Sequence, residues 1–547
     1  MNTMGQLFLV WSLSVLFLIV LALVPWTADP PVSALPLSDE GARVAPTDLA
    51  VGGGLSPTCR FGVTAWSTQV QQFDIVSNLG VGWYLDFASR SRPPSLAAEY
   101  VQMIRLSQNR PITAPCGPDY GYSVYPPLTP WGLGAIVAAN PGALWIVGNE
   151  PDRVGQDGVC PQQYAQAYHD VYFFIKSRDP TARVAIAGLV EVTPGRLQYL
   201  DIVWDTYARR YGAPMPVDVW TMHIYILSET GEGDASIALG TDPALAIPYS
   251  VNCADPLSYC HAEHDDMGLF AEQVVRMRDW MVRHSQRDRP LIITEYGILK
   301  PYHYPGDPCP PDGRCESEWC IPSDPPCCFC DENHETFHPH RVADFMEATF
   351  DYLLTATDPA LGNPRDGNHL VQQWLWYSLA TADPLGLGHA SNLVDPEQSY
   401  ALTLPGQRWQ DYVAALPPGV NLFPSYVPNV IAYRPDGAAT VTVTLAARVR
   451  NSGNRSPDGA VAVTFYSDQQ LTQPIGTATF SGLGGCLGQQ AVVTTTWADL
   501  GPGWRLFWVK VDSLDVVPES DETDNVGAGW VWVDPLQVFL PTVMRNR

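Results

Sequence analysis

The stretch ALWIVGNEPD, residues 143–152, decides how the chain is read, and PLIITEYGIL, residues 290–299, repeats its logic. Each is a short apolar run of strand character that stops abruptly at a glutamate, Glu150 in the first and Glu295 in the second. Runs of this kind recur from Cys59 onward: RFGVTAW (60–66), VGWYLDF (81–87), PITAP (111–115), ALWIVGN (143–149), RVAIAGL (183–189), DVWTMHIYIL (218–227), PLIITEY (290–296) and QQWLWYSL (372–379). Helix-like segments separate them, as at 160–179 and 268–286. Strands alternating with helices predict a parallel sheet, and eight repeats predict an α/β fold closed as a (β/α)8 TIM barrel. An open doubly wound sheet would offer a Gly-rich first turn for phosphate, and the sequence holds no GxGxxG or Walker motif.

The remainder of the 547 residues organises around that barrel, expected at 58–420. Residues 1–28 contain an apolar run, Leu7 to Trp26, broken only by Ser12 and Ser14. It is long for a signal-peptide core and close to the roughly 20 residues of a membrane span. Either a cleaved signal peptide or a retained membrane anchor fits, and both place the bulk of the chain outside the cytoplasm, free or held at the cell surface. Residues 29–57 are rich in Pro, Gly and Ala without an apolar period, as in a linker. Past about residue 420 the helical period disappears. ATVTVTLAARVRNSGN (439–454), AVAVTFYSD (460–468), AVVTTTWADL (491–500) and WRLFWVKVDS (504–513) alternate as strands between turns, so 425–535 reads as an all-β, immunoglobulin-like sandwich. The tail, 536–547, is apolar and then basic, suited to surface attachment or to one more strand.

The formal charge of −26, from 57 acidic against 31 basic residues, argues against a nucleic-acid partner, since phosphate binding needs a basic surface. Twelve cysteines suit an oxidising compartment. Six crowd between Cys309 and Cys330, followed by His334, His338 and His340. A zinc site would show two regularly spaced Cys pairs. The irregular spacing here favours a disulfide-stapled loop, and no metal or cofactor is expected. Cys253 and Cys260 are placed to close a small loop, and Cys116 and Cys160 to meet on one barrel face. Residues 228–267 and 300–338 form long insertions after the sixth and seventh strands, on the face where barrel active sites are built.

Two strands that each deliver one carboxylate at their C-terminal ends supply what acid/base cleavage of a glycosidic bond requires. Glu150 leaves its strand through Asn149-Glu150-Pro151, and the expected role is general acid/base, with Asn149 hydrogen-bonding a sugar hydroxyl. Glu295 ends LIIT, shares a face with Leu291 and Ile293 by period two, and is expected to be the nucleophile. On the sixth strand Thr221, His223 and Tyr225 should face the barrel mouth, while Trp220, Met222, Ile224 and Ile226 pack against helices. Trp376, near the end of the eighth strand, is the candidate floor for sugar stacking. Tyr84 and Asp86, ending the second strand, are candidates for sugar hydroxyls.

An Asn-Glu pair after the fourth strand and a lone Glu after the seventh resemble clan A glycoside hydrolases, the retaining β/α-barrel superfamily. GWYLDF, GNEPD and ITEYG are similar to the Asl1-like glycosyl hydrolase group, which includes endo-β-1,3-glucanases. The resemblance implies a polysaccharide or oligosaccharide substrate, and His223 and Tyr225 resemble the strand-six aromatics that contact the nucleophile or the sugar. The ending DVVPESDETDNVGAGWVWV (515–533) and the turn Asn451–Asn454 resemble the adhesion-related bacterial modules called CARDB, which implies an accessory or spacer domain. The alternative is a non-catalytic carbohydrate-binding or adhesion protein on an inactive barrel. The presence of both glutamates argues against it.

Overall fold

The computed structural model describes residues 54–109, 115–117, 120–229, 235–300, 331–333, 335–381 and 387–535, with the backbone of Cys320–Ile321 and Cys327–Cys328. All of them lie in one compact unit, Ala45–Arg547. The segment 1–28, almost all of the linker, the side chains of the cysteine cluster and the tail lie outside the described residues.

Eight parallel strands build a near-closed, barrel-like sheet among the described residues: β1 (Phe61–Thr64), β2 (Trp83–Leu85), β3 (Glu99–Gln108), β4 (Leu144–Val147), β5 (Arg183–Ile186), β6 (Trp220–Ile224), β7 (Leu291–Tyr296) and β8 (Gln373–Trp376). They pair in chain order from β1 to β5 and from β6 to β8, and β8 returns to β1. The β5–β6 seam is held by one bridge, Ala185 to Val219, with Asp218 N donating to Val184 O at 3.1 Å. The strands are apolar on both faces because both are covered. Trp83, Leu85, Val101, Met103, Leu144, Ile146 and Ile292 fill the interior. Their alternating neighbours, among them Tyr84, Trp145, Val147, Trp220, Met222 and Ile293, pack outward against the helices.

The helices are α1 (Ser67–Val70), α2 (Ile75–Leu79), α3 (Leu133–Ala139), α4 (Pro161–Lys176), α5 (Pro194–Tyr211), α6 (Met267–Arg283), α7 (Pro339–Thr355) and α8 (Leu404–Ala414). Pro161, Pro194 and Pro339 each open a long helix at a position where the missing N–H costs nothing. The fold departs from the expected alternation in two places. The third strand is EYVQMIRLSQ, Glu99–Gln108, and not the run PITAP at 111–115, of which 111–114 lie outside the described residues. The connection 86–98 between β2 and β3 contains no helix.

The long insertions after β6 and β7 are clasped together. Glu332 accepts hydrogen bonds from the Tyr249 hydroxyl at 2.8 Å and from the His261 and Ala262 backbone N–H groups at 3.1 and 2.8 Å. Arg341, at the start of α7, binds Asp265 and Asp331 at 2.6 Å each. The expected pairs Cys116–Cys160 and Cys253–Cys260 are both disulfide-bonded.

The C-terminal module packs a three-stranded sheet against a five-stranded one. The first orders β9 (Leu422–Tyr426), β11 (Val441–Asn451) and β14 (Ala491–Leu500). The second orders β10 (Val430–Ala432), β16 (Val526–Val533), β15 (Gly503–Val511), β12 (Ala460–Tyr466) and β13 (Pro474–Ser481). One core joins them, with Leu445, Val449, Val463, Phe465, Phe507, Val509 and Val531 at its centre. The module seats on the end of the barrel where the strands begin. Cys486 is bonded to Cys59, just before β1. Glu99, opening β3, is bound by Arg183 of β5 and by Arg450 of the module, the latter at 3.6 Å. Arg450 also donates to Gly142 O at 3.3 Å. Gly488 lies so close to β3 that a Cβ there would meet Ala98 N at 2.5 Å.

A crosslink between positions 427 residues apart restricts the unfolded chain strongly. Replacing Cys59 and Cys486 together by serine is expected to destabilise the protein by about 2–4 kcal/mol. Denaturant unfolding of the double variant beside the parent measures it.

Candidate active site

Glu150 reaches the mouth of the barrel because the chain turns sharply where β4 ends. Gly148 and Glu150 both take positive φ, 97° and 42°. Glycine adopts this freely, but glutamate does so only when its surroundings hold it. The hold comes from Asp157, whose carboxylate accepts from Asn149 N at 2.8 Å, Leu106 N at 2.9 Å and Arg105 Nε at 2.7 Å. A second anchor lies two residues on. Asp152 pairs with the wholly buried guanidinium of Arg196, which also binds Glu229 at 2.9 Å.

Glu295 arrives by a different device. Met222 of β6 pairs with Ile293, yet the next residue, His223, pairs with Glu295, so β7 carries one extra residue. The same shift appears against β8. This bulge reverses the alternation. Leu291 and Ile293 face the helices, and Glu295 turns to the side of His223 and Tyr225 instead of sharing their face as period two predicts.

His223 stands between the two glutamates. Its Nδ1 lies 3.0 Å from Glu150 Oε1 and its Nε2 lies 3.6 Å from Glu295 Oε1. The Tyr225 hydroxyl donates to Glu295 Oε2 at 3.1 Å, and Arg153 stands 3.5 Å from Glu150 Oε2. A carboxylate oxygen from each glutamate and a His223 nitrogen all lie within 4.8 Å of one another. All three side chains are almost completely buried. Room for the imidazole comes from Gly188, where a Cβ would fall 2.4 Å from His223 Cδ2.

Burial drives each group toward its neutral form, and the local charges decide the outcome. For Glu150, burial raises the pKa, but the hydrogen bond and charge of His223, with Arg153 and Arg196 behind, hold it below the ordinary value. For Glu295, burial prevails over His223, Tyr225 and Arg105, helped by the charge of Glu150, and the carboxyl is pushed up to about 7. For His223, burial favours the neutral ring, yet the charges of Glu295 and Glu150 outweigh it and raise the pKa. The three groups titrate as one unit. Near neutral pH the unit is poised to exchange protons, with Glu295 the weaker acid of the two carboxyls. Tyr225 remains a hydroxyl donor, since burial lifts its pKa well above the ordinary value.

Other sequence candidates divide. Asn149 is buried beside Glu150 and its Nδ2 lies 3.4 Å from Gln156 Oε1, while its Oδ1 finds no donor among the described residues. Asp86 is committed to the scaffold: Ser67 donates to it at 2.5 Å, and Arg90 and Tyr100 bind the same carboxylate. Tyr84 and Trp376 are corrections. Both lie on the outward parity of their strands, fully buried in the helix-facing core. The Tyr84 hydroxyl reaches Pro94 O, and the Trp376 indole donates to Ser391 O at 2.7 Å and packs edge-on to Tyr296. Neither reaches the mouth.

The sequence reading missed Arg105. Val101 and Met103 point into the barrel, so Arg105, two residues further, stands on the same face at the mouth. It is held by Asp157 and Gln156, and its charge is felt by Glu295. The alternation in EYVQMIRLSQ would have located it had that run been taken as the third strand.

Among the described residues, two clusters offer three ligand-type atoms near one another. Cys253, Cys260 and Glu332 form one, but those cysteines are disulfide-bonded. Glu150, His223 and Glu295 form the other, and there the imidazole turns opposite nitrogens to the two carboxylates. That is the geometry of a bridge between two acids, not of a chelate converging on one ion.

Residues 424–528 match the CARDB family model. No curated protein matches the chain. Among solved structures, a GH128 (subgroup II) endo-β-1,3-glucanase from Sorangium cellulosum aligns at 16% identity with TM-score 0.36, covering 66% of this chain and 99% of that one. A GH128 (subgroup I) endo-β-1,3-glucanase from Amycolatopsis mediterranei in complex with laminaritriose aligns at 15% identity with TM-score 0.35, covering 64% and 99%. The CARDB domain of a Pyrococcus furiosus protein, in complex with di-metal ions, aligns at 20% identity with TM-score 0.18, covering 22% and 97%.

A carboxyl whose pKa is higher in the folded than in the unfolded state favours folding at low pH. For Glu295 that contribution is complete below the ordinary value of 4.5 and is lost as pH rises through about 7. Glu295→Gln, which keeps the neutral shape, is therefore expected to raise Tm at pH 8 by about 2–5 °C. The gain should shrink toward zero near pH 4.5, and thermal unfolding followed across that range measures it.

Proposed function

We propose that the chain is an exported glycoside hydrolase on a clan A-type (β/α)8 TIM barrel, cleaving β-glycosidic bonds of a polysaccharide with retention. The observation that carries this reading is the pair of buried carboxylates with oxygens within 4.8 Å of each other. A retaining mechanism needs the carboxyl groups roughly 5–5.5 Å apart, and an inverting one needs roughly 6.5–9.5 Å. The substrate to try first is β-1,3-glucan, on the strength of the motifs GWYLDF, GNEPD and ITEYG. Export is supported by the apolar run from Leu7 to Trp26 and by the disulfides Cys59–Cys486, Cys116–Cys160 and Cys253–Cys260.

In this reading the Glu295 carboxylate attacks the anomeric carbon as the glycosidic C–O bond breaks, and Glu150 passes its proton to the leaving oxygen. Water then attacks the glycosyl–Glu295 ester carbon at the anomeric position, giving its proton to Glu150 and releasing Glu295. Before the first step the proton must sit on Glu150, whereas the free site favours it on Glu295. His223 is placed to make the transfer, taking a proton at Nε2 from Glu295 and giving one from Nδ1 to Glu150. Tyr225 then steadies the Glu295 anion through its hydroxyl. Asn149 and Arg105 are the proposed contacts for sugar hydroxyls.

Glu150→Gln and Glu295→Gln are each expected to lower turnover on the order of 10²–10⁴-fold or more while the fold persists. A polysaccharide screen with anomeric NMR of the products reads substrate and stereochemistry together, and an inverted product would remove the mechanism. A slowly hydrolysed activated sugar should label Glu295, as found by peptide mass mapping, and a label on Glu150 would exchange the two roles. Because the proton that Glu150 must deliver is the one Glu295 holds in the free site, kcat/KM should fall on the alkaline side of about pH 7. His223→Gln should move that limb by removing both the charge and the relay.

A further inference from the structure

The five-stranded sheet of the C-terminal module has one face on its core, and its other face is open to solvent at Ile431 of β10, Trp504 of β15 and Val526 and Trp532 of β16. Phe507, Val509 and Val511 of β15 and Val531 and Val533 of β16 point inward. The alternate positions therefore point outward, and four of them are tryptophans: Trp504, Trp508, Trp530 and Trp532. Trp504 stands directly opposite Trp532, and Ile431 of β10 lies on the other side of Trp532 in the same row. Trp504 is 52% exposed, Trp532 40% and Ile431 56%.

Cross-strand aromatic pairs do stabilise sheets, by about 0.2–1 kcal/mol. That does not explain two indoles and an isoleucine left facing water across three adjacent strands, which is the mark of a surface with a partner. The contacts to the barrel come from elsewhere in the module, through Arg450, Cys486 and Gly488.

The chemistry of the face specifies the partner. In a chain of net charge −26, the outward positions of β15 and β16 hold no carboxylate, and Lys510 is their one charge. The partner is thus uncharged and tolerates a flat apolar wall. Opposed side chains on neighbouring strands stand about 5 Å apart, close to the length of one pyranose ring. A pyranose presents a face of axial C–H groups that suits the negative face of an indole. We propose that this face, centred on Trp504 and Trp532, is a binding platform for an uncharged polysaccharide. The choice of a sugar polymer rests in part on the glycosidase reading of the barrel, since a platform joined rigidly to a barrel that acts on the same polymer raises its effective concentration there.

The test uses the full chain carrying Glu150→Gln, so that binding is read without turnover. Co-sedimentation with insoluble β-1,3-glucan, cellulose and chitin compares this parent with a version that also carries Trp504→Ala and Trp532→Ala. The platform predicts retention of the parent on at least one polymer and a loss of about tenfold or more in the partition constant on removing the indoles. With Glu150 left intact, the Trp504→Ala/Trp532→Ala variant should hydrolyse short soluble substrates like the wild-type chain. A Trp504→Thr/Trp532→Thr version, which keeps strand propensity, guards against a folding artefact, and equal Tm values are required. Equal sedimentation of parent and folded variants would overturn the platform, as would indoles shielded from an aqueous quencher by a second copy or by the chain's own tail at 536–547. The two readings fail separately. Indole-dependent binding by a wild-type chain that hydrolyses nothing would sink the barrel reading alone. Hydrolysis of soluble glucan with indole-independent sedimentation would sink the platform alone.

Discussion

Two carboxylates buried within 4.8 Å of each other repel strongly unless a positive charge or a proton stands between them. His223 supplies both, and the local architecture follows from its need for a place. Gly188 lacks a Cβ so that the ring fits, and its carbonyl accepts from Glu150 N at 3.1 Å. The bulge in β7 turns Glu295 toward the other ring nitrogen. Positive φ at Glu150, backed by Asp157 and by the Asp152–Arg196–Glu229 ion pairs, brings the remaining acid into reach. At this end of the barrel, strain and buried charge gather where β4, β6 and β7 end.

The two ends of the barrel have different duties. The C-terminal end carries the acids and the long clasped insertions. The N-terminal end carries Glu99, Gly142 and Arg183, and there the C-terminal module is seated through Arg450 and Cys486. Burial lowers the Arg450 pKa to about 10 despite the charge of Glu99. The guanidinium is therefore still charged at neutral pH, and Glu99 answers two arginines at once. One carboxylate thus helps to fix the start of β3 and the position of the module.

Much of this was legible in the sequence, and the failures have physical causes. GNEPD and ITEYG stand out because a glutamate after a fully apolar run has few ordinary explanations. Thr221, His223 and Tyr225 were separable from Trp220, Met222 and Ile224 because β6 keeps strict alternation through its bonded length. Alternation failed for Glu295 because one inserted residue reverses it, and nothing local announces the insertion. β3 was passed over because Glu99, Gln102 and Arg105 look wrong in a buried strand. They are satisfied by partners remote in sequence, such as Gln102, whose amide donates to Arg90 O at 2.9 Å. Trp376 and Tyr84 were misassigned for the opposite reason: aromatic residues near strand ends suit a sugar as well as they suit a core, and parity alone separates the two.

The bond from Cys59 to Cys486 joins the first element of the barrel to the last third of the chain. During synthesis, the thiol at Cys59 emerges long before its partner exists. Cys116, Cys160, Cys253 and Cys260 all pass in the interval, and any of them is a wrong choice. Correct pairing therefore requires Cys59 to wait, reduced or exchangeable, until the C-terminal module has folded and presented Cys486 to it. Reaching the native pairing is therefore a matter of thiol–disulfide exchange as much as of oxidation.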